Sequence, residues 1–496
     1  MLSARMRTLL HKHPRAILIA ILTLSFALNM YGNDFQLGYH SDEPKKVEFI
    51  LNNTQDWHHP ILILQSVRLV NVPLGLHTRW QLAILSRIVM AMYGTLIALM
   101  MYKIARQRLP MLYALGVGAL TAVTPSIVIH SHYLKEDIAF TFGSLFTILC
   151  FFRFIQHVTH ANTQEIPWRQ LLWLGLAIGI TVSAKYKSGI LLFALALVPI
   201  YIPHLRSLTF YKNLAISLIA GFIVFLLINF PILLRFSEFY GGFTHSLEHA
   251  VTGHSGVNVY PLEQLFTFHL RNSILPSLTV LPTLFALGFI LYGLFRWRKI
   301  DWRDKFLLIF ILLFYGILES SPLKPFPGYI RYIMPILPIL SYAAIHGLRL
   351  LLVVLPQTTR LIAGCVLAIL LIGIPLQESV RLVANINQDT RGSQLEAVLE
   401  TQPEPIQYEL YAHGQRVHVK SLAELDINTV DACTLVASSF MYDRYFFAEG
   451  LAGQDDSVVE RAEIYTDIFS RPYTEIKPAY KSFAFSNPTL RVIHLC

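Results

Sequence analysis

Charge is what this sequence has least of. Only 14% of its 496 residues are Asp, Glu, Lys or Arg, where a soluble globular chain carries about a quarter. That scarcity, with 54% hydrophobic residues and a mean hydropathy of +0.50, excludes an ordinary water-exposed fold. Cysteine is also scarce: four residues, scattered, with no CxxC and no Cys/His cluster, which argues against a structural zinc site. Cys150 and Cys365 lie in apolar runs, where cysteine behaves as a small hydrophobe. Internal repeats and low-complexity tracts are missing. So is a small-x-small cleavage site after the basic start "MLSARMRTLLHKHPR". The run from Ala16 to Met30 therefore reads as an uncleaved first span with a cytosolic N-terminus.

What is abundant is the long apolar run. Such runs recur to about Leu376, and about 18 or more apolar residues can cross a hydrocarbon core. Helices are expected, because in lipid the backbone must satisfy its own hydrogen bonds. About eleven spans are expected, over 16–33, 80–102, 111–129, 138–156, 170–184, 188–203, 213–234, 275–295, 305–320, 331–352 and 361–379, with the boundary near Lys185 unsettled. Composition shifts once, near Arg381, to a polar, mixed tail. The expected organisation is a polytopic α-helical membrane domain over 1–380 and a soluble α/β domain over 381–496.

The net charge of +9 does not argue for nucleic acid. The cations sit in short loops: "KIARQR", Arg206 with Lys212, and "RWRKIDWRDK". That is the distribution orientation demands of cytosolic loops. An odd number of spans then sends the tail outside the cytosol. There "QYELYA", "TLVASS" and "LRVIHL" have strand-like content, "GSQLEAVLETQ" is helical, and "SSFMYDRYFFAEG" reads as a strand end entering a helix. If "DACTLV" and "RVIHLC" are neighbouring strands, Cys433 and Cys496 could pair.

The outer loops carry the residues of interest. In "GYHSDEPKKVEF", Asp42 and Glu43 stand side by side at a membrane edge. Ser41 or Asp42 could cap a helix whose first turn holds Pro44; the alternative is chemistry. "PKKVEFILNNTQDW" and "PILILQSVRLV" read as interfacial helices with Pro44 and Pro60 in their first turns. Asp137 ends "HSHYLKED", as a cap or as a second acid; Glu136 beside it makes a second acidic pair. Arg87 lies several residues inside a span, where a charge costs about 2.5–3.5 kcal/mol or more. It should face the bundle interior toward an acid or anion, or snorkel outward. Lys185 and Arg331 lie at outer span ends, as interface anchors or ligands. His58 and His59 in "DWHHPI" point apart, so both on one metal ion is disfavoured. The loop from Arg235 to Arg271 looks irregular, and "SPLKPFPGYIR" reads as a turn or loop.

The order of these pieces resembles the C-type (GT-C) superfamily of integral-membrane glycosyltransferases, above all the branch with protein O-mannosyltransferases and bacterial lipid A aminoarabinose transferases. The carriers are Asp42-Glu43, His59-Pro60-Ile61, the Arg87-x3-Ala91-x2-Gly94 spacing, Asp137, "KYKSG" and "RYIMP". The tail pieces "QDTRGSQLEAVLE" and "SSFMYDRYF" are similar to the outer domain of bacterial members. The resemblance implies transfer of a sugar from a polyprenyl-phosphate donor to a lipid, glycan or protein acceptor on the outer face of a bacterial plasma membrane, with inversion. Asp42, Glu43 and Asp137 would be the catalytic acids, Asp42 the base. Arg87, His59, Lys185 and Arg331 would serve the donor phosphate, with Arg87 alternatively organising the acids. His59-Pro60-Ile61 stands where relatives often have Lys-Pro-Pro. No cofactor is implied, although two facing acidic loops could hold a divalent ion. A transporter or flippase of lipid-linked sugars is the alternative; it should show paired broken helices in two halves, and no such symmetry is visible.

Overall fold

A computed structural model of the chain describes residues 13–35, 37, 40, 42–160, 167–252, 266–320, 329–387, 391–412, 417–427, 429–449, 456–478 and 488–496. The basic start 1–12 and most of "SPLKPFPGYIR" lie outside them.

The apolar runs fold as helices. In order they are α1 (Pro14–Met30), α2 (Glu43–Leu51), α3 (Leu62–Asn71), α4 (Arg79–Arg106), α5 (Met111–Ala122), α6 (Pro125–His130), α7 (Glu136–His160), α8 (Trp168–Ala184), α9 (Gly189–Ala196), α10 (Leu208–Ile228), α11 (Phe236–Thr252), α12 (Val280–Phe295), α13 (Trp302–Ser320), α14 (Leu337–Val354) and α15 (Gln357–Asn387). Each expected span falls on helix. Among the described residues, however, length and composition qualify five helices to cross a membrane, or six if Leu270–Leu278 and Val280–Phe295, bent by 113° at Thr279, count as one. The shortfall has a physical source: several expected spans are broken, as 111–129 is into α5 and α6 at Thr124-Pro125.

Close packing in the bundle rests on small residues. Gly175 and Gly179 on α8 face α10, and a Cβ at Gly179 would lie 2.5 Å from Val224 Cβ, the small-xxx-small device of membrane helices. The Arg87-x3-Ala91-x2-Gly94 spacing proves to be one helix face. The Ala91 carbonyl accepts from Asn29 on α1, and a Cβ at Gly94 would collide with Ser131 Oγ at 2.1 Å. The first loop is tied down from three sides. Arg68 donates to the carbonyls of Phe49 and Thr54. Asn229 accepts from the Ile61 N–H and donates to Ser183. Gly242 of α11 lies so close to Asp56 and Trp57 that a Cβ would be 2.6 Å from each.

Two expectations are corrected. The segment after Arg235 begins as a helix, α11, because Phe236, Phe239 and Phe243 recur at helical spacing, with Phe239 and Phe243 presenting rings to Trp57 and Tyr186 and Phe236 packing on Phe239; residues 253–265 lie outside the description. Pro60 does not sit in the first turn of α3, which starts two residues later at Leu62.

The tail begins with α16 (Arg391–Leu399) and contains β1 (Ile406–Tyr408), β2 (Thr434–Ser438), α17 (Ser439–Glu449), α18 (Asp456–Ser470), β3 (Tyr473–Ile476) and β4 (Leu490–His494). The sheet order is β1-β2-β4-β3, parallel only between β1 and β2. Every residue of β2 is buried. Leu435 and Ala437 face Tyr445 and Tyr465 on one side, while Val436 faces Leu395 on the other, as a strand's two-residue period requires. The register pairs Thr434 with His494, so Cys433 and Cys496 flank neighbouring strand ends, and they form a disulfide.

Candidate active site

Asp42 stands at the N-cap position of α2, but its side chain caps nothing. It forms an ion pair with Lys135 instead, and Arg331 lies 3.8 Å away. Asp42 is thus engaged in an ion pair rather than in a cap, and Ser41 lies outside the described residues. Burial alone would raise the Asp42 carboxyl, but Lys135, with Arg331 and Lys46 adding, holds it well below the usual carboxylate range. Its side chain keeps 36% of its surface exposed, so the carboxylate is both ionised and reachable.

The neighbouring acids are buried, and each meets a lysine; Lys135, the partner of Asp42, also lies 3.8 Å from Glu136. Glu136 pairs with Lys46 of α2, and Asp137 pairs with Lys185 at 2.5 Å. Lys46 points inward because α2 puts it one turn from Glu43 on the buried face. Its lysine range is lowered to about 8 by burial. Asp137 Oδ2 and Glu136 Oε2 are buried with no hydrogen-bond donor among the described residues. Each thus keeps an acceptor oxygen, which a hydroxyl or a water could use.

Arg87 is fully buried, as is Glu43. The two form a bidentate pair, Nε to Oε1 at 2.9 Å and Nη2 to Oε2 at 2.5 Å. Nη1 donates to the carbonyls of Asn33 and Phe35, and the guanidinium stacks on the Phe35 ring at 3.6 Å. This is the planar fork recognition that lysine cannot reproduce. Arg87 thereby pins the start of α2, and with it Asp42, onto α4.

His40 accepts from the Asp42 N–H through Nδ1. Burial lowers its imidazole to about 3, so it is neutral there. His59 reaches the same region and feels the Glu136 carboxylate, yet burial still lowers it to about 3. It brings no positive charge at neutral pH. His58 instead stacks on His245 of α11 at 4.7 Å.

The structure thus gathers Asp42, Glu43, Asp137, Arg87, His59, Lys185 and Arg331 at one end of the bundle, and adds three lysines that sequence reading did not single out. Lys46 and Lys135 stand inside the quoted stretches "GYHSDEPKKVEF" and "HSHYLKED". Lys187, in "KYKSG", lies 3.9 Å above the Tyr332 ring and has no carboxylate partner among the described residues. Among those residues no group of three or more His, Cys, Asp or Glu forms a candidate metal site. The lysine pairing of Asp42, Glu136 and Asp137 leaves little net negative charge to hold a divalent ion.

Comparison with known proteins bears on the family and the fold. Residues 81–247, less than half the chain, match the family described as dolichyl-phosphate-mannose-protein mannosyltransferase. No curated protein matches the sequence. Among solved structures, ArnT from Cupriavidus metallidurans bound to undecaprenyl phosphate is 13% identical, with a TM-score of 0.57 over 96% of this chain and 97% of that one. The oligosaccharyltransferase of Archaeoglobus fulgidus in the apo form is 12% identical, with a TM-score of 0.59 over 95% of this chain and 74% of that one. The same organism's AglB in complex with an inhibitory peptide and a dolichol-phosphate is 14% identical, with a TM-score of 0.55 over 80% of this chain and 59% of that one. At such identities the likeness is one of fold: the chain shares the C-type (GT-C) fold of these integral-membrane proteins, and the family match covers residues 81–247.

Proposed function

We propose that the chain transfers a sugar from a polyprenyl-phosphate donor to an acceptor on the outer face of the membrane, with Asp42 as the base and inversion at the anomeric carbon. The observation that carries this is one reachable, ionised carboxylate among buried ion pairs, with Arg331 3.8 Å away and Lys187 over the ring of Tyr332, the residue after Arg331. The donor's phosphate would sit against Arg331 and Lys187, its tail staying in lipid. Positive charge there steadies the departing phosphate. Arg87 positions the acids from behind.

Asp42 is a weak base while Lys135 and Arg331 hold it. A good base has a proton affinity near the working pH. An anionic phosphate draws Arg331 and Lys135 toward itself, and Asp42 becomes more basic as they leave. The acceptor hydroxyl or amine then gives its proton to Asp42 as its oxygen or nitrogen bonds to the anomeric carbon. The C1–O bond breaks, and its electrons leave with the phosphate. Base activation would therefore depend on donor binding, which protects the donor from idle hydrolysis.

The outer placement draws support from two features. The basic loops fall on the other side, and the tail carries the Cys433–Cys496 disulfide, which persists in oxidising compartments. The sugar and acceptor are to be found by experiment. Purified protein is incubated with radiolabelled polyprenyl-phosphate sugars and membrane extract. Label transferred to an acceptor supports the reading; label that only changes leaflet, chemically intact, overturns it in favour of a flippase.

A further inference from the structure

We infer that the end of the bundle opposite the acid cluster holds a built site for the phosphate head of an anionic phospholipid. A cavity of about 640 Å³ opens there between the end of α7, the start of α8 and the start of α13, and three arginines line it: Arg153, Arg169 and Arg303. Arg153 lies 16 residues along α7 from Asp137, about 24 Å at 1.5 Å per residue. The cavity therefore belongs to the far side of a hydrocarbon core about 30 Å thick, and it is separate from the proposed transfer site.

Two of the three arginines are not spent on the protein, and the third is spent only in part. Arg153 and Arg169 make no ion pair or hydrogen bond among the described residues. Arg303 Nη1 donates to both carboxylate oxygens of Asp301, at 3.1 and 3.2 Å, yet its Nε is buried with no hydrogen-bond partner among the described residues. Two unpaired guanidinium groups and an orphaned Nε, facing one cavity with the amides of Gln156 and Gln170 beside them, match the acceptor oxygens of a phosphodiester. Orientation by basic loops accounts for arginines near this face. It does not account for their convergence on one cavity between helices.

The walls select a lipid over a free anion. Trp173 lines the cavity, with 49% of its surface exposed, and Leu172 beside it is 58% exposed. Both lie on α8, a helix of the membrane domain, so their exposed faces meet acyl chains. Trp173 is anchored edge-on to Phe146 and stands where the glycerol region of a lipid would lie. A phosphate in the cavity with its chains over Leu172 and Trp173 is the arrangement that basic pockets between membrane helices offer to anionic headgroups.

The test uses the full chain in detergent, titrated separately with phosphatidylglycerol, phosphatidylcholine and inorganic phosphate. Bound lipid is counted by native mass spectrometry, and melting is followed in parallel. Wild type should retain phosphatidylglycerol and gain melting temperature, with no gain from phosphatidylcholine or inorganic phosphate. Arg153→Gln/Arg169→Gln should weaken phosphatidylglycerol binding by about thirtyfold, two surface cations' worth, and should melt like wild type in phosphatidylcholine. Arg153→Lys/Arg169→Lys, which keeps the charge, should recover most of the binding. Equal retention of both lipids by wild type, an equal effect of inorganic phosphate, or undiminished binding by the glutamine variant would each overturn the inference.

Discussion

The bundle carries a polar cluster at each end, and the two are built differently. At the proposed outer end Asp42, Glu136 and Asp137 each meet a lysine, and acceptor oxygens on Glu136 and Asp137 stay unused among the described residues. At the opposite end Asp304 is fully buried and used up. Tyr342 donates to Oδ1 at 2.5 Å, Arg108 donates to Oδ2 at 3.1 Å, and His346 lies 3.6 Å away. One cluster keeps capacity for a ligand; the other closes on itself and joins α13 to α14. The lesson is that a buried charge in a membrane protein marks function only where its partners leave something over. Asp304, at least as buried as any outer acid, fits a staple.

The largest effect expected from this contrast is at the outer pin. Arg87→Ala leaves Glu43 charged and buried, which should cost about 3–5 kcal/mol, read as a large loss of melting temperature together with loss of transfer. Native melting and a native rate would make Arg87 dispensable to the site.

Glu409 in the tail extends the comparison to a buried acid with no cation within ion-pair distance among the described residues. It accepts from Tyr465 and from the N–H groups of Leu422 and Ser438, but burial still raises it from 4.5 to about 7. The folded state then binds the proton more tightly than the unfolded state. Stability from this group is complete below the unfolded range and falls as pH rises through about 7, by roughly 3 kcal/mol over that window. Denaturant melts of the full chain across that window should show the decline in the tail's transition, and Glu409→Gln should flatten it. A decline that survives in the variant would assign it elsewhere.

Asp304→Ala should cost about 1–3 kcal/mol, the penalty for orphaned buried partners, while transfer per folded molecule stays at the wild-type level. A specific loss of transfer, with melting unchanged, would make the two ends alike. The smallest perturbation is a reporter fused after Cys496, which should be exported; a cytosolic signal would invert the assignment of outer and inner ends.

Much of the fold was legible in the sequence, because long apolar runs and the composition shift near Arg381 depend on local physics. The outer residues were legible as a set, since Asp42, Asp137 and Arg331 stand at span edges where charge is conspicuous. Their pairing was not. Nothing in "EPKKVEF" says that Lys46 turns inward while Lys45 reaches Asp56 at the surface; that follows from which face of α2 meets α4. Nothing in "KYKSG" separates Lys187 from Lys185, and only the structure shows Lys185 committed to Asp137. The inner staple escaped notice because Asp304 sits in a basic stretch, while Tyr342 and His346, one turn apart on α14, are unremarkable in an apolar helix. β3 was too short and polar to stand out.

The account turns on Asp42, and the most direct measurement is transfer by purified Asp42→Asn from a labelled polyprenyl-phosphate sugar, alongside its melting curve. Asparagine keeps the shape and removes the proton acceptor. The account predicts wild-type melting within about 1 kcal/mol, as for an exposed position, with transfer lowered by about 10² or more, as for a lost general base. Turnover at the wild-type rate would contradict it.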